Sequence, residues 1–205
     1  AFNDKKLYER AKLLRGWGRS SAIFNESEGI KLRFNKTVDG IPYDGKYIFS
    51  ALGYNFLPSE ISAAFALEQL KKLKKNISTR IKNFQILRQF FKKYQNYIKL
   101  PSQGKGVRTG WLAFPLVIKE KAKIRRKDLQ IFLEKKGIQT RTIFTGNILR
   151  QPIMKNQYYK KHKYCGNVSD DVMKNGILIG CHHGLKLNEL KFMCKAFDDF
   201  FKKIN

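Results

Sequence analysis

The chain has 205 residues, 42% of them hydrophobic, which is enough to bury a core and to form one or two domains. Its 42 Lys and Arg residues outnumber 16 Asp and Glu residues, so the formal net charge is +26 and an anionic partner is indicated. No stretch approaches the roughly 18 consecutive apolar residues of a membrane span, which argues against a membrane protein.

The first 57 residues predict one short helix and a long loop. Apolar residues three and four apart predict a helix over residues 4–14, which ends at Gly16. Turn-forming residues then break the pattern from 20 to 45, which predicts a loop or hairpin of about 25 residues, a length that is often functional. Residues 47–52 are short and apolar and predict a strand or an extended segment.

A long helix is predicted in the middle of the chain. From Pro58 to Ile98, apolar residues recur three and four apart for about 40 residues, with lysines off the stripe. Globular helices of this length bridge domains or build an interface. Residues 101–106 then predict a linker. The stripe consists of Ile61, Phe65, Leu70, Leu73, Ile77, Ile81, Phe84, Leu87, Phe91, Tyr94 and Ile98.

Strand and helix patterns alternate after the linker, which predicts a small α+β domain over residues 107–205. Pro115 suggests an edge or a bulge in the first strand, and Gly137 closes the first helix. The predicted elements are a strand over 111–118, a helix over 126–136, strands over 139–144 and 177–180, and a helix over 187–204.

The basic excess is mostly lysine and is spread along the whole chain. This is the bias of an AT-rich genome, whereas a nucleic-acid surface more often concentrates basic residues on one element. A basic α+β nucleic-acid-binding module therefore remains a rival interpretation and not the leading one. The three cysteines, Cys165, Cys181 and Cys194, include no C-x-x-C pair, which indicates a reducing compartment and predicts a cytoplasmic protein.

The segment from Gly53 to Glu60 is the most informative. Its Gly-aromatic-amide loop runs into Pro58, which is tolerated in a first helical turn, and Glu60 suits the positive end of the helix dipole. Such a corner can face an anion with backbone N–H groups and a side-chain amide. By default Asn55 would be a turn residue that uses its amide locally.

Each of the other candidate residues, taken alone, is weaker evidence for a functional site than this segment. Arg141 and Arg150 would by default be solvated arginines, although Asn147 directly follows a predicted strand, where open α/β folds place ligand contacts. His162, Cys165, Cys181 and His183 supply four potential zinc ligands, but their spacing matches no standard zinc module. No phosphate-binding or hydrolase motif is present, so no residue is predicted to be catalytic and no metal is predicted.

Four motifs, in order, resemble one family. Residues 53–64 with 67–70 look like the signature G-Y-N-x-x-x-(S/T)-(D/E)-x-x-A-A-x-x-x-x-Q-L of the DegT/DnrJ/EryC1/StrS family of pyridoxal-phosphate-dependent nucleotide-sugar aminotransferases. Residues 14–19 resemble its segment after the cofactor-lysine region. Residues 140–152 look like the branch that contains nucleotide-linked hexulose 3-dehydrases, and residues 181–185 resemble its His-x-Gly-Leu turn.

The resemblance implies an α/β, fold-type-I aminotransferase of which this chain is the C-terminal part. Residues 1–57 would end the large cofactor-binding domain, 58–106 would form the long interdomain helix and linker, and 107–205 would form the small α+β C-terminal domain. The Schiff-base lysine would lie upstream, so no lysine is assigned that role, and the chain is expected to be a fragment that is inactive alone.

The resemblance also implies the partners and the site. The cofactor would be pyridoxal 5'-phosphate, the substrates a nucleotide sugar and an amino-acid amino donor, and the assembly a homodimer with shared active sites. Asn55 would reach the cofactor phosphate of the neighbouring subunit, with Tyr54 beside it. The residues expected to line the nucleotide-sugar pocket are Asn147, Arg150, His183 and Arg141.

One difference from the family pattern narrows the range of possible reactions. Dehydrase relatives with an iron–sulfur cluster carry cysteines in the loop that corresponds to residues 20–34, where this chain has none. Such a cluster needs thiolate ligands, so a cluster-bearing dehydrase is disfavoured. A sugar aminotransferase is the leading hypothesis and a cluster-free dehydratase of the same fold is the alternative. A structural alternative is a dimerising coiled coil formed by residues 61–98.

Overall fold

The computed structural model describes residues 1–23, 29–160 and 166–203. Its chain divides into two compact units, Ala1–Gln69 and Leu70–Asn205. Within the described ranges, no helix combines the length and the apolar character that crossing a bilayer requires. The division falls inside the long helix.

The first unit is built from short elements. They are α1 (Lys5–Arg15), α2 (Ile30–Phe34), the antiparallel hairpin β1 (Lys36–Val38) and β2 (Ile41–Tyr43), and the start of the long α3 (Glu60–Phe91). The carboxylate of Asp4 accepts the N–H of Leu7 at 2.9 Å and caps α1. Asp39 and Gly40 both have positive φ, as a two-residue hairpin turn requires. The predicted loop therefore contains a short helix and a hairpin.

The first unit buries little apolar surface. Of its described hydrophobic side chains, Leu13 is the one that counts as buried, with 6% of its surface exposed. Large apolar side chains just before α3 and in its first turns are exposed. Exposed apolar surface of this kind usually marks an interaction site. These side chains are Phe49, Leu52, Tyr54, Phe56, Ile61 and Phe65.

The prediction of a long helix is confirmed for its central part, but both predicted ends are wrong. Helix α3 begins at Glu60, where the carbonyl of Ser59 accepts the N–H of Ala63 at 3.0 Å, so Pro58 precedes the helix. The α-helix ends at Phe91, and residues 92–94 tighten into a 3-10 turn. Ile98 does not continue the stripe, because it pairs with Ile118 in a sheet.

The second unit contains a four-stranded antiparallel sheet with strand order β3-β4-β6-β5. The strands are β3 (Ile98–Lys99), β4 (Ala113–Ile118), β5 (Thr140–Arg141) and β6 (Gly176–Gly180), and the helices after α3 are α4 (Arg126–Lys135), α5 (Asn167–Asn175) and α6 (Leu187–Lys202). Alternate residues of β4 are buried, namely Phe114, Leu116 and Ile118. One face of the sheet therefore faces the core.

Aromatic side chains join the second half of α3 to that face. Phe91 lies 5.4 Å from Phe114 on β4 and meets Phe197 on α6 edge to face at 4.8 Å, as measured between ring centroids. Phe132 on α4 contacts Phe200 on α6 at 5.3 Å. Helices α3, α4 and α6 thus share one core with the sheet, and the small α+β architecture predicted for this part of the chain is confirmed.

Most elements of the second unit lie where the sequence predicts them, with one shortened strand and two omissions. The strand predicted over 139–144 is only Thr140–Arg141, because Phe144 and Gly146 have φ values of +46° and +65° and turn the chain out of the sheet. The sequence did not predict α5 or β3. Gly137, with φ of +76°, follows α4 as expected of a helix C-terminus.

Candidate functional site

Backbone hydrogen bonds hold the corner around Asn55 against the end of α1. The N–H of Tyr54 donates to the carbonyl of Leu14 at 2.7 Å, and the carbonyl of Tyr54 accepts the N–H of Trp17 at 2.9 Å. The N–H of Phe56 donates to the carbonyl of Arg15 at 2.9 Å. Since both neighbours of Asn55 are fixed, the direction in which its side chain leaves the backbone is fixed as well.

The side chain of Asn55 is exposed and has no hydrogen-bond partner within the ranges that the structure describes. This differs from the default interpretation, in which the amide would be used locally. The ring of Tyr54 is also exposed and stacks on Phe56 with 5.1 Å between centroids and 6° between planes. Asn55 can therefore donate or accept a hydrogen bond to a group that approaches this surface.

Arg141 lies on the edge strand β5 and lines a cavity of about 630 Å³ in the second unit. The cavity is bounded by β5, β6 and the first turns of α6, and its wall includes apolar side chains such as Ile138 and Met193. Polar side chains at its wall include His182 and Glu189. The guanidinium of Arg141 is thus the cationic side chain that this cavity offers to a ligand.

Asn147 and Arg150 are brought together by a third residue, Asp170 on α5. The amide nitrogen of Asn147 donates to Oδ1 of Asp170 at 2.7 Å, and Nε and Nη2 of Arg150 donate to Oδ1 and Oδ2 at 2.5 Å each. The other end of the Asn147 amide accepts the N–H of Leu149 at 3.0 Å. Asn147 is buried, at 6% exposed, so in this structure both ends of its amide organise the loop.

The pair of Arg150 and Asp170 has the forked geometry in which arginine binds a carboxylate most strongly. The carboxylate raises the pKa of Arg150 above its usual value, chiefly through the side-chain hydrogen bond. The side chain of Arg150 is still largely exposed. One edge of the guanidinium is held in place, which orients the remaining edge towards solvent.

His183 lies in the turn between β6 and α6, and Arg80 on α3 contacts it. Nε and Nη2 of Arg80 lie 3.2 and 3.1 Å from Nδ1 of His183. The amide nitrogen of Asn83 donates to the carbonyl of His182 at 2.9 Å, and the thiol of Cys181 points at the carbonyl of Arg80 at 3.8 Å. The turn that carries His183 is therefore attached to α3 at several points.

The zinc interpretation concerned four residues, of which two lie outside the described ranges, His162 and Cys165. Within those ranges no three His, Cys, Asp or Glu side chains form a group that could hold a metal. Cys181 is fully buried, and burial raises the pKa of its thiol to about 12, so the thiolate that a metal prefers is disfavoured. The cysteine-free loop over 20–34 also lies partly outside the described residues.

Sequence reasoning did not identify Arg80 or Asp170 as site residues. Neither residue lies in a motif, since Asp170 is one of two adjacent carboxylates and Arg80 is one of many cations on the predicted long helix. Each acts on a residue far along the chain, since Arg80 and His183 are 103 positions apart and Asp170 and Arg150 are 20 apart. The one available sequence signal was that Arg80 is an arginine where its neighbours are lysines.

Comparisons with known proteins identify the family of the chain. The family profile described as "DegT/DnrJ/EryC1/StrS aminotransferase family" matches residues 1–198. The lipopolysaccharide biosynthesis protein RfbH of Salmonella typhimurium is 31% identical over 200 residues, which are 96% of this chain and 45% of that protein. The GDP-4-keto-6-deoxy-D-mannose 3-dehydratase of Yersinia pseudotuberculosis is 33% identical over 192 residues, which are 91% of this chain and 45% of that protein.

A solved structure gives the same result for the fold. The Escherichia coli GDP-4-keto-6-deoxy-D-mannose-3-dehydratase with bound hydrated PLP superposes with a TM-score of 0.78 and 28% identity over 96% of this chain and 48% of that chain. The chain therefore spans about half the length of the curated relatives it matches. The family match over residues 1–198 includes the corner around Asn55 and extends over both units of the structure.

Proposed function

The chain belongs to the DegT/DnrJ/EryC1/StrS aminotransferase family, and from this premise we propose that it is the C-terminal part of a pyridoxal-phosphate-dependent enzyme acting on a nucleotide-linked keto sugar. The fold class implied by the resemblance, part of a fold-type-I aminotransferase, is confirmed by the structural match. The observation that carries the proposal is the clamped corner that leaves the amide of Asn55 exposed inside the family signature.

The residues of the corner fit a phosphate. An exposed side-chain amide can donate to a phosphate oxygen, and the backbone on both sides of Asn55 is held, so little freedom would be lost on binding. When bound, the cofactor supplies the electron sink for bond changes next to the amino nitrogen. Asn55 would bind and orient its phosphate in the neighbouring subunit of a homodimer, with Tyr54 beside it.

The substrate would meet the second unit. Arg141 at the cavity, Arg150 held by Asp170, and His183 held by Arg80 are three orientated donors for the oxygens of a nucleotide diphosphate and its sugar. Asn147 stays a proposed pocket residue, and its engaged amide supports an indirect role in which it holds the loop of Arg150. The net charge of +26 favours an anionic substrate.

We infer an aminotransferase reaction as the first candidate, in which an amino acid gives its amino group to the keto sugar in the cytoplasm. The second candidate is a dehydratase without an iron–sulfur cluster. It is favoured by the name of the Yersinia pseudotuberculosis relative, a 3-dehydratase that is 33% identical to this chain. The family match leaves no need for the nucleic-acid-binding alternative, which rested on charge and aromatic content alone.

One assay separates the two reactions. The full-length protein that contains this chain would be loaded with pyridoxal phosphate and incubated with GDP-4-keto-6-deoxy-D-mannose and L-glutamate. An aminotransferase yields a product that has gained nitrogen, with one 2-oxoglutarate per turnover, whereas a dehydratase yields a sugar that has lost oxygen and gained no nitrogen. Mass spectrometry of the product decides between them, and an unchanged sugar would count against both candidates for this substrate.

The role of Asn55 is tested by cofactor affinity. We expect Asn55→Ala to weaken pyridoxal phosphate binding to the full-length protein by roughly 10- to 100-fold, the value of a hydrogen bond to a charged group. Asn35→Ala, at another exposed asparagine of the same unit, is the matched control. Equal affinities of the wild type and Asn55→Ala would remove Asn55 from the cofactor site. Light scattering of the same samples measures whether the protein is a dimer.

A further inference from the structure

The turn between β6 and α6 is fixed from one side by α3. Asn83 donates to the carbonyl of His182 at 2.9 Å, and the thiol of Cys181 donates to the carbonyl of Arg80 at 3.8 Å. Burial keeps that thiol protonated, because it raises the pKa of Cys181 to about 12. The backbone on the N-terminal side of His183 is therefore held before its side chain makes any contact.

The side chain of Arg80 then determines which ring nitrogen of His183 carries the proton. Both Nε and Nη2 of the guanidinium lie within 3.2 Å of Nδ1. A guanidinium has donors and no acceptor, so Nδ1 must offer a lone pair. In a neutral imidazole the proton is then on Nε2, and the ring presents an N–H at its far end.

The neighbouring His182 does not compete for Arg80. Its Nδ1 accepts the backbone N–H of Gly184 at 3.2 Å, and its ring lines the cavity near Arg141. The two adjacent histidines therefore use different supports, a backbone amide for His182 and a side chain of α3 for His183. The dependence on Arg80 is a property of His183 alone.

We propose that Arg80 is a positioning residue that holds the ring of His183 with Nδ1 as the acceptor and the proton on Nε2, so that this N–H donates to an acceptor oxygen of the nucleotide-linked sugar. The substrate half of this statement rests on the proposed function. Phosphate, hydroxyl and carbonyl oxygens of such a substrate all accept hydrogen bonds, and His183 is exposed. Arg80 itself acts through His183 and makes no substrate contact.

The tautomer can be read without any ligand. In 15N-labelled wild-type chain, two-dimensional NMR of the histidine rings should show an unprotonated Nδ1 and a protonated Nε2 for His183. Arg80→Leu should give a mixture of tautomers, and Arg80→Lys, which keeps a donor, should restore much of the wild-type signature. Arg88→Leu removes an arginine of the same helix about 12 Å further along α3 and is the matched control.

The substrate contact is tested by binding to the full-length protein, with GDP-4-keto-6-deoxy-D-mannose as the probe. We expect Arg80→Leu and His183→Ala each to weaken binding by roughly 3- to 10-fold, and the double variant to be no weaker than His183→Ala alone. Additive losses would mean that Arg80 acts independently of His183, and would overturn the proposal.

The two measurements separate the inference from the proposed function. A wild-type His183 with its proton on Nδ1, or a tautomer that Arg80→Leu leaves unchanged, overturns the positioning role even if the enzyme binds the sugar. Unchanged sugar affinity in both single variants overturns the substrate contact. A wild-type protein that binds no nucleotide sugar defeats the proposed function, while the NMR result on the tautomer stands by itself.

Discussion

Gly53 lies against Gly18 so closely that a Cβ added to Gly53 would be 2.2 Å from the amide nitrogen of Gly18. In the other direction, a Cβ on Gly18 would be 1.7 Å from the carbonyl oxygen of Ala51. Both distances are too short for a side-chain atom, so the two backbone segments can cross here only because both residues are glycine. The crossing lies directly before Tyr54 and Asn55, and it helps an exposed loop residue to keep a defined position.

We expect Gly18→Ala to loosen this corner. Gly18 has φ of +78° and Gly40 has φ of +81° with open space around it, so alanine at either position carries similar backbone strain of about 1–2 kcal/mol. Only Gly18→Ala adds the steric clash, commonly another 1–3 kcal/mol. Hydrogen–deuterium exchange at the amides of Tyr54 and Phe56 should become clearly faster in Gly18→Ala. If Gly40→Ala accelerated it equally, the crossing would not be what holds the corner.

The two halves of α3 should respond differently to the loss of an aromatic ring. Phe91 is fully buried against β4 and α6, and Phe91→Ala should lower the free energy of unfolding of the 205-residue chain by about 3–5 kcal/mol. Phe65, on the same helix, is 67% exposed, so Phe65→Ala should change it by no more than about 0.5 kcal/mol. Urea unfolding followed by circular dichroism measures both. A large loss from Phe65→Ala would show that the first half of α3 is covered, for example by self-association.

Periodicity was enough to predict the elements that form the core. Helix α6 repeats Leu190, Phe197 and Phe201 on one face, and all three are buried where the pattern places them. Periodicity could not predict the C-terminal end of α3. Ile98 fits the helical spacing, but in the structure it pairs with Ile118 in the sheet. A tertiary hydrogen-bonded pair overrides a local period, and the sequence does not show which residue will supply the partner strand.

Only part of the site was predicted, because the other site residues also depend on tertiary contacts. A motif of contiguous residues identified Asn55, whereas the contact of Arg80 with His183 spans 103 positions and depends on how α3 packs beside β6. Nothing in the sequence around Asp170 indicates Arg150, because the helix that carries Asp170 was not predicted and the two residues are 20 positions apart. Residues that hold other residues leave little trace in a single sequence, because their partners are set by the fold.

The raised pKa values of the buried Cys181 and the half-buried Cys194 predict a loss of stability at alkaline pH. Burial raises the pKa of Cys181 to about 12 and that of Cys194 to about 11, against 9.0 for a free thiol. Above pH 9 the unfolded chain therefore loses thiol protons that the folded chain retains, so it binds fewer protons and the free energy of unfolding falls as pH rises. The fall should continue to about pH 11–12, through the folded pKa values.

Alkylation provides the independent measurement. At pH 8 iodoacetamide should label Cys181 and Cys194 slowly in the folded chain and rapidly in denaturant, as mass spectrometry of the peptides would show. Cys181→Ala with Cys194→Ala should flatten the alkaline loss of stability. A steep loss that persists in the double variant would assign it to other groups, of which Tyr94 is one, since desolvation and the Asp198 carboxylate raise its pKa.

Asp170 should control the orientation of Arg150. Asp170→Asn removes the carboxylate that receives both Nε and Nη2, and because Arg150 is largely exposed the loss of stability should be small. Asp128→Asn, on α4, breaks an equally forked pair with Arg125, the residue before that helix, and is the matched control. The Nε–H signal of Arg150 should exchange slowly with solvent in the wild type and in Asp128→Asn, and quickly in Asp170→Asn.

The same pair of variants bears on substrate binding in the full-length protein. If the outward edge of Arg150 meets the nucleotide sugar, Asp170→Asn should raise KM for GDP-4-keto-6-deoxy-D-mannose several-fold with little change in kcat, because a ground-state contact has lost its preorganisation. Asp128→Asn should leave both constants near the wild-type values. An Arg150 that loses its slow exchange without any change in KM would confine the cluster of Asn147, Arg150 and Asp170 to holding the loop, and would leave Arg141 and His183 as the donors for the substrate.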